Sequence, residues 1–347
     1  KLVVGGSVYT DKLEDDREFG QDEMKNAGMT IIPNYNFTDF DAAIKFLTEN
    51  PDRYVLKPSG KAQNEKELLF VGNEADGRDV LEILERYKKN WGTKIKVFQL
   101  QKHVTGVEVA IGGFFNGHDF VMPININFEH KKLFPGNIGP STGEMGTSMF
   151  WAKSNPLYRA TLEKLKPKLQ ECGYVGYFDI NTIVNAKGIH PLEATSRFGY
   201  PTINIQMEGI TTPMGEFLYN LASGKDFEIK TKRGFQVGVV IAAPPFPFKD
   251  PASFKRYSED ALIIFKKPNY DGAHIADVKL VDGEWRMAGT SGYPLIMTGS
   301  GSTMEEAQKE AYMHVENILI PNMFYRTDIG ARWTQDSDRL QTWGYLY

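Results

Sequence analysis

The sequence holds a single cysteine, Cys172, so an internal disulfide is excluded. No Cys/His spacing matches a zinc site. Nothing beside Cys172 marks it as a nucleophile, and it reads as a small packing residue. No apolar run is long enough to span a bilayer and no signal-peptide start is present, which points to a reducing cytoplasm. Nor is there a surplus of positive charge: 40 Lys and Arg stand against 44 Asp and Glu, a formal net charge of -4. Nucleic-acid binding normally needs a concentrated basic surface, so neither nucleic acid nor membrane is an expected partner. Internal repeats, low-complexity tracts and an initiator Met are also missing.

What is present is a chain of 347 residues with 41% hydrophobic content, enough for two or three domains. A polar helix is expected over residues 15–26, stopped at Gly28. A second begins at Thr38 or Asp39 and ends at Pro51, with Ala42, Ala43, Phe46 and Leu47 on one face. Residues 54–57 form a brief strand that leaves Lys57 where strand meets turn. Residues 80–87 read as helix, and residues 95–101 and 107–115 as neighbouring strands joined by the Thr105-Gly106 turn. Residues 134–147, rich in Gly and Pro, read as an ordered loop that brings backbone close to a ligand. A helix over 157–172 precedes two strands, 175–184 and 189–194, joined by a turn at 185–188. After a helix over 212–223 the pattern restarts near Gly234 with β-rich segments and a helix from Thr303, marking a C-terminal domain. The stretch 243–251, with four Pro, is either a linker or an ordered edge loop.

Three features could jointly make a nucleotide site. Lys57 offers phosphate a point charge, the 101–108 turn could hold a base and ribose, and Asp179 with Glu193 could hold a divalent metal. An isolated strand-end lysine is usually a surface residue, so the carboxylates weigh more. Strand alternation puts Tyr177, Asp179 and Asn181 on one face, and the following strand can present Glu193 to the same ion. The plainer reading is a pair of solvated carboxylates on an exposed sheet face.

Two segments then resemble a known family. Gly139-Pro140-Ser141-Thr142-Gly143-Glu144-Met145-Gly146 is similar to the G-P-N-T-G-G-M-G loop of phosphoribosylamine-glycine ligases. Glu193-Ala194-Thr195-Ser196-Arg197-Phe198-Gly199-Tyr200-Pro201 is similar to their E-F-N-x-R-F-G-D-P. Leu13-Glu14, Gly106-Val107-Glu108-Val109 and Tyr325-Arg326-Thr327-Asp328-Ile329-Gly330 resemble further motifs of that family, so the likeness covers nearly the whole chain.

The resemblance implies an α+β ATP-grasp fold, two α+β lobes clamping ATP, followed by a small C-terminal α/β domain. It divides the chain into a first helix with a remnant linker (1–28), a small lid lobe (29–100), a large lobe with the metal and substrate site (101–233) and a C-terminal domain (234–347). The family's N-terminal domain is then missing ahead of Leu13-Glu14. The implied cofactors are ATP and Mg²⁺, and the implied partners are a small carboxylate and an amine. Lys57 and Lys61 would meet phosphate, Gln101, Lys102 and Val104 the adenine, and Glu108 the ribose. Asp179, Glu193 and Thr195 would hold the metal. Arg197, Asn137 and Lys131 would face the reacting phosphoryl group. Gly139, Ser141, Thr142, Gly143, Glu144, Gly199 and Tyr200, again with Arg197, would face substrate.

Several positions depart from the family pattern. Glu144 replaces a loop glycine, Tyr200 an acidic residue, Thr202 a Glu and Thr195 an Asn. The phosphate-covering stretch 58–66 has fewer glycines, and Lys61 either substitutes for the family's lysine there or is an ordinary loop lysine. The departures cluster on the substrate side, which implies a changed substrate. Two readings follow: an active ATP-dependent carboxylate–amine ligase, or a non-catalytic, degenerate nucleotide-binding relative.

Overall fold

The computed structural model describes residues 1–59 and 68–346. A four-stranded antiparallel sheet runs in the order Asn34–Phe37, Phe98–Lys102, Tyr54–Pro58, Phe70–Val71. Helices Phe40–Glu49 and Arg78–Trp91 pack on it, because each buries one apolar stripe: Phe40, Ala43 and Leu47 on the first, Val80 and Leu84 on the second. Asp39 starts the first helix, its carboxylate accepting from the amide of Ala42 at 2.7 Å.

An eight-stranded antiparallel sheet runs Gly188–Thr195, Val175–Asn185, Val107–Asn116, Phe120–Glu129, Gly146–Ala152, Phe235–Ile241, Leu295–Gly301, Ala273–Ile275. Its first half is covered by helices that bury Leu13, Met24, Leu162, Leu165 and Leu169 against Ile111, Ile126 and Ile180. Its second half is covered by helix Met304–Glu316, which buries Met304, Ala307, Ala311 and Val315 against Val237 and Met297. The sheet therefore runs without interruption past residue 234, Phe235–Ile241 pairing with Gly146–Ala152 on one side and Leu295–Gly301 on the other.

Three local expectations change. Residues 95–101 and 107–115 are strands but not neighbours: Phe98–Lys102 belongs to the small sheet and Val107–Asn116 to the large one. Residues 103–106 carry the chain between sheets instead of turning it back. The helix expected over 15–26 is present as Arg17–Asn26, and an unexpected helix, Val8–Asp15, precedes it, with Asp16 extended at their junction and its carboxylate accepting from the amide of Phe19. The helix over 157–172 is split at Thr161 into Pro156–Ala160 and Leu162–Glu171. Within the Gly-rich stretch, Lys132–Phe134 and Ile138–Ser141 pair as a hairpin around a 3-10 turn at Pro135–Asn137. Glycine and Asn at positive φ, Gly136 at 74° and Asn137 at 57°, supply the turn that a loop reading left unspecified. The 243–251 segment is ordered: the amide of Ala243 bonds Gly292 and that of Ala242 bonds Phe324 just before it.

Candidate active site

The two sheets enclose a cleft of about 550 Å³, a size typical of small-molecule sites. The small sheet contributes Val55, Lys57, Pro58, Val71, Gln101 and Lys102, and the large sheet Glu108, Glu129, Asp179, Asn181, Glu193 and Thr195. Two loops close the far end: Lys131, Asn137, Ser141, Thr142, Gly143 and Glu144 on one, Arg197, Gly199, Tyr200 and Thr202 on the other. Nearly every residue singled out from the sequence thus faces one space. Gly139 does not line it: with φ at 84° and the Phe134 ring 2.7 Å from where a Cβ would stand, it serves the hairpin turn. Lys61 lies outside the described residues, as does the stretch 60–66 that contains it.

At the crossover end, the amides of Lys102 and His103 donate to the carbonyls of Pro33 and Arg53, at 2.9 and 2.8 Å, fixing the path between sheets. Ile32, Val55, Leu69, Val71, Ile183 and Leu192 give this end apolar walls beside Gln101 and Val104. The ammonium of Lys102 is drawn off to Asp52 at 2.7 Å, so only the rest of that residue is offered to the cleft.

The centre is electrostatic. Lys131 Nζ lies 2.9 Å from Glu108, 3.4 Å from Glu129 and 3.8 Å from Glu193. Burial alone would strip its proton, but the three carboxylates reverse this and hold its pKa well above the ordinary lysine value. Glu108 is pushed up by burial and pulled down further by Lys131, ending below the usual carboxylate range. Glu129, Glu144 and Asp179 go the other way, raised first by burial and then by one another or by neighbouring acids. Lys57 is 8% exposed. Burial, with Arg17 and Lys131 nearby, depresses its pKa to about 7.

Among the described residues no three His, Cys, Asp or Glu side chains converge on one point, so the protein offers no closed cage. Asp179 Oδ1 and Asn181 Oδ1 are nevertheless buried and lack hydrogen-bond partners among the described residues. Strand register sets Asn181 opposite Glu193 and Asp179 opposite Thr195. Two or three oxygens aimed into a nucleotide-sized cleft suit Mg²⁺, which takes its remaining ligands from phosphate and water. Thr195 fits less well, because its hydroxyl is engaged with Asp179.

Arg197 is oriented from the N-terminal helix: its guanidinium pairs with Glu14 at 2.9 Å, and the other oxygen of Glu14 accepts from the amide of Ser196 at 3.0 Å. Asn137 is held from the C-terminal side by Arg326, which donates to its Oδ1 at 3.0 Å and to the carbonyl of Lys132 at 2.9 Å. Sequence reasoning missed Glu129, Asn181, Arg17 and Arg332 as lining residues. Only Asn181 carried a usable signal, since alternation already placed it on the face of Asp179.

Residues 15–203 match the model of the phosphoribosylglycinamide synthetase ATP-grasp (A) domain, and residues 236–332 that of its C domain. The phosphoribosylamine–glycine ligase of Streptococcus pneumoniae is 24% identical over 333 residues, covering 92% of this chain and 76% of its own length. The crystal structure of the Thermotoga maritima phosphoribosylamine–glycine ligase superposes with a TM-score of 0.75 at 23% identity, over 94% of this chain and 81% of that one. The biotin carboxylase domain of Hydrogenobacter thermophilus 2-oxoglutarate carboxylase, solved with MgADP, shares the fold at a TM-score of 0.62 and 13% identity, over 96% and 72%. With its ATP-grasp and C domains both matched and the cleft between the two sheets, the chain belongs to the phosphoribosylglycinamide synthetase family.

Proposed function

We propose that the chain is an ATP-dependent carboxylate–amine ligase that works through an acyl phosphate, as the names of its phosphoribosylamine–glycine ligase relatives suggest. The observation that carries this reading is the placement, in one cleft, of the buried amine of Lys57 and the half-buried ammonium of Lys131 with the inward oxygens of Asp179, Asn181 and Glu193. A cleft with only carboxylates would repel a triphosphate, and one with only lysines could not also hold its metal.

On this reading Gln101 and Val104 hold the base, Glu108 the ribose and Lys57 the phosphates. Lys61 is assigned to the same phosphates. Asp179, Asn181 and Glu193 would hold Mg²⁺, which when bound neutralises phosphate charge. Arg197 and Lys131 stabilise negative charge that develops as the phosphoryl group moves to the carboxylate. Their guanidinium and ammonium are already oriented, by Glu14 and by Glu108, so little reorganisation is needed when that charge appears. The amine then attacks the activated carbonyl, releasing phosphate and leaving an amide. Closure of the small sheet over the cleft would keep water from the acyl phosphate. The domain limits 1–28, 29–100, 101–233 and 234–347 are carried forward as part of this proposal.

The test is ADP release from Mg-ATP, first with glycine and phosphoribosylamine and then with a panel of other acids and amines. Turnover that requires both an acid and an amine is expected; nucleotide binding with no turnover on any pair would favour the degenerate reading. In the same assay Glu193→Gln should raise the Mg²⁺ concentration needed for half-maximal rate by roughly tenfold or more, the usual cost of disturbing a metal's coordination. An unchanged Mg²⁺ requirement would remove Glu193 from the ligand set.

A further inference from the structure

Glu144 is a carboxylate placed where the resembling loops carry glycine, yet it is not on the surface. It is 7% exposed, lines the cleft, and its Oε1 has no hydrogen-bond partner among the described residues. Its backbone neighbours are pinned: Thr142 donates to Lys131 O at 2.8 Å, Met145 to His130 O at 2.8 Å, and Val240 to Met145 O at 3.1 Å. The backbone that carries the side chain is therefore held in place at the cleft.

An aromatic wall stands on the same side. The rings of Tyr200 and Tyr293 are 5.1 Å apart, and Phe246 lies 5.6 Å from Tyr293. The hydroxyl of Tyr293 is buried and also lacks a partner among the described residues, its ring packs on the cluster that holds Met145, the residue after Glu144, and burial, with Glu144 nearby, raises its pKa. Burial makes Glu144 hold its proton, and its charged form needs a cation or donor to complete the open oxygen. Lys131 is already shared by Glu108, Glu129 and Glu193. Aromatic faces beside a carboxylate suit an organic ammonium better than a hydrated metal, since ring quadrupole and carboxylate both attract the charge and the rings tolerate the carbon skeleton.

We propose that Glu144, with the Tyr293 hydroxyl and the Tyr200 ring, forms a subsite for the primary ammonium group of a substrate. The inference rests on the ligase reading for its position in the reaction, but the subsite can be measured by binding alone. The ammonium is a recognition handle. A small acid or amine carrying it is drawn into the cleft with its reacting group directed away from Glu144 toward Arg197 and Lys131. Substrates without that charge leave Glu144 in its neutral form, gain no ion pair from it and bind less tightly.

The experiment uses the full chain with Mg²⁺ and a non-hydrolysable ATP analogue, and titrates probes in pairs that differ by an amino group: glycine and glycolate, β-alanine and 3-hydroxypropanoate, lysine and norleucine. At least one amino member is expected to bind about tenfold or more tightly than its partner, the scale of one charge-assisted contact. Glu144→Gln, which keeps shape and loses charge, should abolish that preference without lowering the melting temperature. Tyr293→Phe should weaken it by several-fold. No preference in any pair, a preference that survives in Glu144→Gln, or a loss confined to Mg²⁺ affinity would each overturn the proposal. Absence of ADP release alongside an intact ammonium preference would defeat the ligase reading and leave the subsite standing.

Discussion

Replacing Lys57 by Met is expected to weaken Mg-ATP binding by roughly a hundredfold, because a charge-assisted contact to phosphate in a buried site contributes about 1.5–3 kcal/mol. The buried position adds a protonic signature. With its pKa near 7 in the free protein, Lys57 is mostly neutral at pH 8, and a bound triphosphate would restore its charge. Nucleotide binding at pH 8 should therefore take up protons, read by calorimetry in buffers of differing ionisation enthalpy, and Lys57→Met should abolish the uptake. The folding consequence has the opposite sign from a paired lysine. Between pH 7 and the unfolded value near 10.4 the unfolded chain binds more protons, so stability rises with pH through that window. Below pH 7 the burial penalty is present in full, and there Lys57→Met should melt higher than the wild type, the difference fading toward pH 10. Equal nucleotide affinity in the two proteins would remove Lys57 from the phosphate site.

Arg326→Met carries the second large effect, this time on stability. The guanidinium is buried and makes four contacts: Asp328 at 2.8 and 2.7 Å, Lys132 O at 2.9 Å and Asn137 Oδ1 at 3.0 Å. Asp328 in turn accepts from the amide of Gly136 at 3.0 Å. Removing one partner of a buried ionic network typically costs about 3–5 kcal/mol, and the partial exposure of Asp328 favours the lower figure. A melting temperature lower by roughly 5 °C or more is expected, with proteolytic nicking appearing first in the 132–141 hairpin. A variant that melts normally and resists nicking would show that the hairpin is held by other contacts.

Arg326 also marks where the sequence was readable and where it was not. The Tyr325–Gly330 segment stood out only by its likeness to a family motif, and nothing local could say that it reaches back nearly two hundred residues to fix Asn137. Alternation identified 95–101 and 107–115 as strands, since a pleated backbone writes its period into the side chains. Pairing is a separate matter: a Thr-Gly dipeptide suits a tight turn and a sheet-to-sheet crossing equally, and only the global fold chooses. The cleft itself was largely legible because its residues cluster in motifs, and because inward Asp179 and Asn181 break the apolar character of their strand. Glu129 went unnoticed for the converse reason. It ends a strand beside His130, Lys131 and Lys132, where a charge looks like ordinary solvated surface until the fold buries it. Glu144 was noticed as a departure, but its burial at the cleft has no trace in local pattern.

The unbroken run of the large sheet past residue 234 bears on how the molecule can be taken apart. Phe235–Ile241 is a central strand with a neighbour on each side, so a cut there would strip Gly146–Ala152 of one of its two partners and leave a row of unpaired amides and carbonyls, a template for self-association. The C-terminal portion is thus an integral part of the scaffold and holds the 132–141 hairpin through Arg326, and its loss would be felt as collapse of the cleft floor. The small sheet has no such tie. Its hydrogen-bonded strands are all its own, and a hinge at residues 103–106 asks no strand to unzip when the clamp opens.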